Sequence, residues 1–292
     1  MKTILSNDTL EVIIASPYSI YKGSRFDGTG IITDIRFLGH SFCQVEQKEI
    51  GKGSGGIGFS NEFGIDKAID YEKTPIGKRF PKIGVGMLKK ESEESYDFFA
   101  NYESKLSSFV EEVIDEHTYK VKSIINDQKA YYLILTKTIS IKDKSLTIDY
   151  VLENKGSQSI ETNEYNHNFI GIDDDPIGES YSLDFPNVVE VDKKAGFFDI
   201  VKAQAGYEIN WKEEPCEDFY GMMKLGSKTC DYNWELKHWK SKLGIRECSN
   251  FPISKVALWG YTHVVCPELF INIKLASKES ISWSRRYEFF EI

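Results

Sequence analysis

The stretch Ser145-Leu-Thr-Ile-Asp-Tyr-Val-Leu-Glu-Asn154 alternates apolar and polar side chains with a period of two. Successive side chains of a β-strand point to opposite faces, so this period is typical of a strand with one buried face. The buried face is predicted to consist of Leu146, Ile148, Tyr150 and Leu152, and the outer face of Thr147, Asp149 and Val151. The stretch therefore predicts a strand that covers a core on one side only.

The neighbouring segments carry the same alternation and predict an antiparallel meander. Strands are expected at 119–124 and 131–141, and Asn126-Asp-Gln between them is typical of a hairpin turn. Further strands are expected at 10–15, 30–37, 82–88, 181–185, 188–191, 207–211, 255–265 and 271–275. The best candidate helix is a short segment at 102–114. The pattern predicts an all-β fold, a large antiparallel β-sandwich that forms a single domain over residues 1–292.

A polar segment follows the opening stretch, Glu161-Thr-Asn-Glu-Tyr-Asn-His-Asn-Phe-Ile170. It brings Asn163, Glu164, Asn166, His167 and Asn168 within six residues. Amides and an imidazole in this density suit a site that binds many hydroxyl groups and moves a proton near neutral pH. The alternative is a polar strand end in which His167 has a structural role.

A second segment of interest is Val264-Val-Cys-Pro-Glu-Leu-Phe270. Pro267 has no backbone N–H, so we expect it to interrupt strand pairing and to re-aim the next side chain, Glu268. A glutamate in a partly apolar setting has a raised pKa, and a neighbouring guanidinium, with Arg25 the best candidate, would restrain that rise. The alternative is a surface carboxylate at the start of a strand.

These two segments together resemble the signatures of aldose 1-epimerases, which form the galactose mutarotase-like superfamily. Asn166-His167 followed by Asn168-Phe169 is similar to the family's Asn-His-x-aromatic signature, and Pro267-Glu268 resembles its late glutamate segment. The resemblance implies a supersandwich with a cleft on its concave sheet, and interconversion of the α and β anomers of a free sugar. It implies that His167 is the acid and Glu268 the base, on opposite sides of the sugar ring, and that neither a cofactor nor a metal is needed.

The chain departs from the family pattern in three ways. Typical members read Asn-His-Ser-Tyr-Phe-Asn-Leu where this chain reads Asn166-His-Asn-Phe-Ile-Gly-Ile172, and 51–64 lacks the family's second histidine. The family's sugar-binding aspartate has no clear counterpart. The chain thus resembles a divergent member. Two other classes stay open: a non-catalytic carbohydrate-binding or regulatory protein on this fold, and another sugar-active enzyme such as a lyase or hydrolase.

Two of the four predicted substrate-binding residues lie in glycine-rich segments near the start of the chain. Arg25 shares a predicted strand face with Asp27, so it either donates to sugar hydroxyls or forms a structural ion pair. Glu62 follows the glycine-rich run 51–58, which we expect to be a flexible loop that carries residues 61–64 to the mouth of the site. The alternative for Glu62 is a solvated loop carboxylate.

The other two predicted binding residues are Asn166 and Trp259. Asn166 belongs to the amide cluster beside His167, and Trp259 precedes the glutamate segment. Sugars have an apolar C–H face on which an aromatic ring can stack, although Trp259 could equally belong to the core. The aromatic run at 96–102 could likewise either form a wall on which a sugar stacks or belong to the core.

Charge and cysteine usage exclude several partners. The 292-residue chain has a net charge of −9 and a pI near 5.2, which disfavours nucleic acids and anionic membrane surfaces. A neutral, hydroxyl-rich small molecule is compatible, and the oligomeric state is left open. Five cysteines without a Cys-x-x-Cys pair indicate free thiols in a reducing, cytoplasmic compartment. The first ten residues turn polar too early for a signal peptide, and no apolar run is long enough to span a membrane.

Several common sites are absent from the sequence. Gly51, Gly53 and Gly56 match the dinucleotide spacing, but turn-forming residues follow where a helix is required. His263 and Cys266 have no second pair with zinc-ligand spacing, so no metal site is expected. The Gly-x-Ser-x-Gly elbow of α/β-hydrolases is missing as well.

Overall fold

The computed structural model describes residues 2–49, 53–128, 130–196, 198–203 and 205–292. Within these ranges the chain forms strands and turns and no helix. The first strands are β1 (Lys2–Ser6), β2 (Leu10–Ala15), β3 (Ile32–Phe37), β4 (His40–Ser41), β5 (Phe59–Phe63), β6 (Arg79–Lys82), β7 (Gly86–Lys89), β8 (Ser104–Leu106), β9 (Ser108–Asp115), β10 (Thr118–Asn126), β11 (Tyr132–Lys142) and β12 (Ser145–Asn154). The others are β13 (Ile160–Asn168), β14 (Tyr181–Phe185), β15 (Val188–Ala195), β16 (Asp199–Lys202), β17 (Tyr207–Asn210), β18 (Phe219–Leu225), β19 (Trp234–His238), β20 (Leu243–Glu247), β21 (Lys255–Tyr261), β22 (Val264–Leu275) and β23 (Ser280–Glu291).

Two ten-stranded sheets contain most of the strands. The first has the order β1-β2-β3-β5-β13-β22-β21-β18-β15, with β4 paired to β3. The second has the order β16-β17-β14-β19-β20-β23-β12-β11-β10-β9, and β6-β7-β8 form a small third sheet. Neighbouring strands are antiparallel, for example β13 with β22 and β12 with β23. The predicted all-β antiparallel sandwich is confirmed.

The opening stretch of the sequence analysis forms β12 as predicted. Leu146, Ile148, Tyr150 and Leu152 are buried, and Asp149 and Val151 are exposed on the other face. β12 pairs with β11 on one side and with β23 on the other, so it lies inside the second sheet. Its buried face therefore meets the first sheet.

Aromatic side chains join the two large sheets. Phe59 of β5 packs against Tyr287 of β23 with ring centroids 4.8 Å apart, and Phe63 packs against Trp283 at 6.3 Å. Edge-to-face pairs of this kind contribute ~0.5–1.5 kcal/mol each beyond the area they bury. The same two strands therefore stack directly over one another.

A buried ion cluster lies in this interface. Arg285 of β23 donates to Glu164 of β13 at 2.8 Å and to Glu247 of β20 at 2.9 Å, and all three side chains are inaccessible to solvent. Asn61 of β5 donates to Glu164 at 2.8 Å and to the Tyr150 hydroxyl at 2.9 Å. Burying charges is costly unless they are paired and hydrogen-bonded, and here each carboxylate has several donors.

Three local predictions are wrong. The segment 102–114 forms β8 and β9 instead of a helix, because its β-branched residues pair along β10. The predicted strand 82–88 is a hairpin of β6 and β7, since Gly84 takes a φ of +76° and a Cβ there would lie 2.2 Å from Asp27. The predicted strand 255–265 is likewise split by a turn at Thr262 and His263.

The five cysteines are unpaired in the structure, in agreement with the prediction of free thiols. They are Cys43, Cys216, Cys230, Cys248 and Cys266.

Replacing Arg285 should destabilise the fold strongly. Arg285→Met leaves Glu164 and Glu247 buried without their cation, and breaking a buried pair of this kind typically costs ~3–5 kcal/mol. The matched control is Arg286→Met, because Arg286 is the next residue and its side chain is 53% exposed in its pair with Glu288. An exposed pair contributes about 1 kcal/mol or less. Urea unfolding followed by circular dichroism gives both free energies, and equal losses would contradict the structural role of the cluster.

Candidate functional site

The outer face of β13 carries the candidate site. Glu164 and Asn166 point between the sheets, where they contact Arg285 and Tyr287 respectively. Because side chains alternate along a strand, Tyr165 and His167 point to the opposite face. Both are buried, so β13 is covered on both sides of the first sheet.

The structure separates Asn166 from the site. Its Nδ2 donates to Asn168 Oδ1 at 2.5 Å and to the Tyr287 hydroxyl at 3.1 Å, and the side chain is inaccessible to solvent. The prediction that Asn166 binds substrate is wrong, because a residue next to His167 on a strand must face the other way.

His167 and Glu268 lie side by side in the structure. Pairing of β13 with β22 runs to Tyr165 opposite Phe270, and two further residues along each strand bring His167 opposite Glu268. His167 Nε2 is 3.2 Å from Glu268 Oε1. The two predicted catalytic groups are therefore in contact on one sheet.

Pro267 shapes this end of the sheet. Val265 exchanges backbone hydrogen bonds with Ile170, so by alternation the nitrogen of Pro267 also faces β13. Regular pairing with β13 stops at Phe270, whereas pairing with β21 continues through Pro267. The predicted interruption thus occurs on one side only, and Asn168 Nδ2 donates to the Pro267 carbonyl at 2.8 Å there.

Burial controls the protonation of the pair. Desolvation raises the pKa of Glu268 to about 8, and the positive charge of Arg25 partly offsets that rise. Desolvation, helped by Arg25, lowers the pKa of His167 well below 6.5. Both shifts favour neutral groups, because a charge without water is costly. Two groups in contact titrate as a pair, and here the pair holds one proton over a wide pH range.

Aromatic rings hold the imidazole of His167. Phe169 stacks on it with centroids 4.0 Å apart and planes 9° from parallel, and Trp259 meets it edge-on at 5.5 Å. Phe26 contacts it at 6.0 Å. Among the described residues Nδ1 has no hydrogen-bond partner. The ring is therefore positioned by packing, and Nε2 is the nitrogen that faces Glu268.

Arg25 is anchored beside the pair by two carboxylates. Its Nε donates to Glu62 at 2.8 Å, and one terminal nitrogen lies 3.3 Å from Glu46. The other terminal nitrogen donates to the Tyr165 hydroxyl at 3.2 Å. Lys82 completes the cluster at 3.3 Å from Glu62. The guanidinium is thus fixed, and only 6% of the residue is exposed.

Two predictions about this cluster are wrong. Glu62 lies in β5, inaccessible to solvent behind Arg25, and not on a flexible loop at the mouth of the site. Asp27 does not pair with Arg25, since its carboxylate lies 2.8 Å from Lys137 of the second sheet. The residues of the run at positions 51 and 52 lie outside the described residues.

A cleft of about 370 Å³ opens over His167 and Glu268. Arg25 and Trp259, two of the predicted binding residues, lie among its lining side chains. Phe98 and Phe99 belong to the aromatic run at 96–102, and the sequence analysis singled out none of the other lining side chains: Glu46, Gln47, Ile65, Asp66, Tyr165, Asp218, Tyr220, Lys255 and Phe270. Period-two spacing from His167 and Glu268 points to Tyr165 and Phe270, but nothing in the sequence places β18 beside β21.

The aromatic run at 96–102 divides between the two proposed roles. Tyr96 and Tyr102 pack in a small core with Tyr71 and Phe80. Phe98 and Phe99 line the cleft, with their rings 4.9 and 5.1 Å from the guanidinium carbon of Arg25.

Two further features are missing from the part of the chain that the structure describes. Among the described residues, no three His, Cys, Asp or Glu side chains are grouped as a metal site would require. The described part of the chain also lacks a helix of the length and apolar character that a membrane span needs.

Comparisons with known proteins show the fold. No protein-family model and no curated protein matches the sequence. A solved structure from Synechocystis sp. PCC 6803 has a TM-score of 0.61 at 10% identity over 100% of this chain and 96% of its own. A galactose mutarotase-like protein from Clostridium acetobutylicum has a TM-score of 0.60 at 10% identity, and the match covers 99% of this chain and 95% of that protein. An aldose epimerase homologue from C. elegans has a TM-score of 0.58 at 10% identity, and the match covers 100% of this chain and 99% of that protein. The chain thus has the galactose mutarotase-like fold, as the two motifs suggested.

Glu268 should make stability fall as pH rises. Its folded pKa of about 8 exceeds the ordinary value of 4.5, so this group stabilises the fold fully below pH 4.5, and the contribution is lost as pH rises through about 8. Glu268→Gln removes this dependence. Between pH 5 and pH 8.5, the free energy of unfolding of the variant should therefore rise by up to a few kcal/mol relative to that of the unchanged chain.

The control for this measurement is Glu161→Gln on β13, the strand that pairs with the strand of Glu268. Hydrogen bonds from Lys67 and Lys274 lower the pKa of this exposed carboxyl, so its variant should show no gain with rising pH. Urea titrations at four pH values provide the comparison. Parallel stability curves for Glu268→Gln and the unchanged chain would refute the raised pKa.

Proposed function

We propose that this protein is an aldose 1-epimerase type of isomerase, which interconverts the α and β anomers of a free sugar. The observation that carries the proposal is the contact of 3.2 Å between His167 Nε2 and Glu268 Oε1 beneath an open cleft. The galactose mutarotase-like fold of the chain is consistent with it.

The chemistry of anomer exchange suits two groups in contact. Ring opening removes the proton from O1 and adds a proton to the ring oxygen, and both oxygens are bonded to C1. An acid and a base that lie next to each other can therefore serve both atoms at once, without standing on opposite sides of the ring. Rotation about C1–C2 and the reverse transfers then close the ring as the other anomer.

The shared proton determines which group acts first. With Glu268 protonated and His167 neutral, Glu268 gives its proton to the ring oxygen while His167 takes the proton of O1. On ring closure His167 returns its proton to O1 and Glu268 recovers its own. This assignment reverses the roles that the resemblance implies for ring opening, in which His167 protonates the ring oxygen and Glu268 takes the proton of O1.

The charges of the cleft favour a neutral sugar over a sugar phosphate. Arg25 is already paired with Glu62 and Glu46, and Lys255 lies 2.6 Å from Asp66. Asp218 adds a further acidic group to the lining. A phosphate would face these carboxylates with no uncompensated cation among the lining residues. Hydroxyl groups, in contrast, can accept from Arg25 and donate to the carboxylates.

Two assays separate this proposal from its alternatives. Polarimetry of freshly dissolved sugars detects faster anomer exchange by an enzyme, whereas a binding protein gives only a saturable titration signal. A lyase would release an unsaturated product that absorbs ultraviolet light, and a hydrolase would release new reducing ends.

Removing either member of the pair should abolish most of the activity. His167→Asn and Glu268→Gln should each lower kcat by ~10²-fold or more, the usual range for general acid–base groups. Sugar binding should persist, because Glu268→Gln keeps the shape of the side chain and His167→Asn keeps a polar group in place of the imidazole. Unchanged circular dichroism is the folding control, and near-normal kcat in either folded variant would refute the assignment.

The pH profile supplies a second readout of the same pair. Since activity requires one proton on the pair, kcat/KM should decline as pH rises through about 8 and should not decline on the acid side until well below pH 6.5. The residual activity of Glu268→Gln should lack the basic limb. A limb that survives in this variant belongs to another group.

Trp259 is proposed to stack on the apolar face of the sugar. Trp259→Ala should raise KM about tenfold and change kcat less, as expected for a contact that substrate and transition state share. Trp239→Ala is the matched control, since Trp239 is 50% exposed and outside the cleft. An insoluble or unfolded Trp259→Ala variant would instead assign Trp259 to the core.

A further inference from the structure

The cleft over His167 continues into a second and larger cavity. This cavity measures about 670 Å³ and includes Tyr261, Thr262 and His263 in its wall. Gln47, Gly53 and Asp218 line both cavities. Cavities of ~300–1,000 Å³ are typical of ligand sites, so the first one lies near the lower limit and the second well inside the range.

One strand presents an aromatic ring to each cavity. Trp259 and Tyr261 lie two residues apart on β21 and therefore share a face, about 7 Å apart along the strand. Trp259 lines the cleft over the catalytic pair, and Tyr261 lines the second cavity. The two rings are close enough along the strand for two linked sugar rings to contact one each.

The remaining groups of the second cavity suit hydroxyl groups and not an anion. Lys48 lies 3.3 Å from Asp174, to which Gln44 also donates at 2.9 Å, and Asp218 is the shared acidic residue. His263 Nε2 donates to the Val45 carbonyl at 2.9 Å, which leaves Nδ1 as an acceptor in the neutral ring. The lining thus offers donors and acceptors without excess positive charge.

We propose that the second cavity is a subsite for the next sugar residue, so that the substrate is a neutral reducing disaccharide or longer saccharide with its reducing end at His167 and Glu268. Trp259 contacts the reducing residue and Tyr261 the residue that follows. This inference rests on the proposed function for the position of the reducing end.

The test compares matched pairs of sugars by polarimetry. Glucose is compared with maltose and cellobiose, and galactose with β-1,4-galactobiose. At least one disaccharide should have a kcat/KM about tenfold above that of the monosaccharide at its own reducing end, which corresponds to ~1.4 kcal/mol. Tyr261→Ala should bring this ratio to about one, and Tyr261→Phe, which keeps the ring, should restore most of it.

Each other result has a definite meaning. If each monosaccharide reacts as fast as its disaccharides, or if Tyr261→Ala leaves the ratio unchanged, the subsite is refuted while the isomerase stands. If no sugar reacts, the proposed function fails, and calorimetric titration decides the subsite separately. The subsite would then be supported if a disaccharide binds more tightly than its monosaccharide and if Tyr261→Ala removes this difference. Equal binding of the two sugars, or no binding, would overturn the subsite.

Discussion

The double burial of β13 is the constraint on which the site and the sandwich both depend. Every residue from Thr162 to Asn168 is buried, although most of them are polar. A strand of this composition is stable only if each face supplies partners for its polar groups. Arg285 and Tyr287 supply them on the inner face. On the outer face, Tyr165 donates to Glu62 at 2.7 Å and His167 lies against Glu268.

Contacts on the inner face of β13 fix the register of the strand and therefore the position of His167 on its outer face. A slip of β13 by one residue would exchange its faces and would place His167 between the sheets. The ion pair of Glu164 with Arg285 opposes such a slip, because the slip would move the Glu164 carboxylate away from the guanidinium that lies 2.8 Å from it. Trp234 and Ser249 donate to Glu247, which in turn holds Arg285. The inner polar network therefore keeps His167 and Glu268 in register.

Period-two alternation predicts several strands with their observed bounds, such as β12 and β14, but it does not identify others, such as β5 and β18. The two short motifs direct attention to His167 and Glu268, which the structure places 3.2 Å apart, and their roles stay a proposal. The sequence did not show which face each polar residue of β13 occupies, and so Asn166 was assigned to the wrong side. Applying the same alternation from His167 would have corrected this.

Other errors arose where long-range contacts decide the local structure. Glu62 was expected on a loop because glycines precede it, but pairing of β5 with β13 draws it into the sheet. The segment 102–114 has no pattern of its own, and its strand exists because β10 is available as a partner. Tyr261 and Asp218 reach the cavities through the packing of distant segments, which no local sequence signal reports.

The ion cluster around Arg25 connects the electrostatics of the fold with the chemistry of the pair. Arg25 lowers the pKa values of both His167 and Glu268, whereas the negative charge of Glu62 raises that of Glu268. An Arg25 without carboxylate partners would favour ionised Glu268, and the pair would lose its shared proton. Because Glu62 and Glu46 hold the guanidinium, it can donate hydrogen bonds into the cleft while desolvation still keeps Glu268 protonated. An anionic group in the cleft would disturb this balance by competing with the carboxylates for Arg25, so the arrangement that sets the proton on the pair also supports our proposal of an uncharged sugar as the substrate.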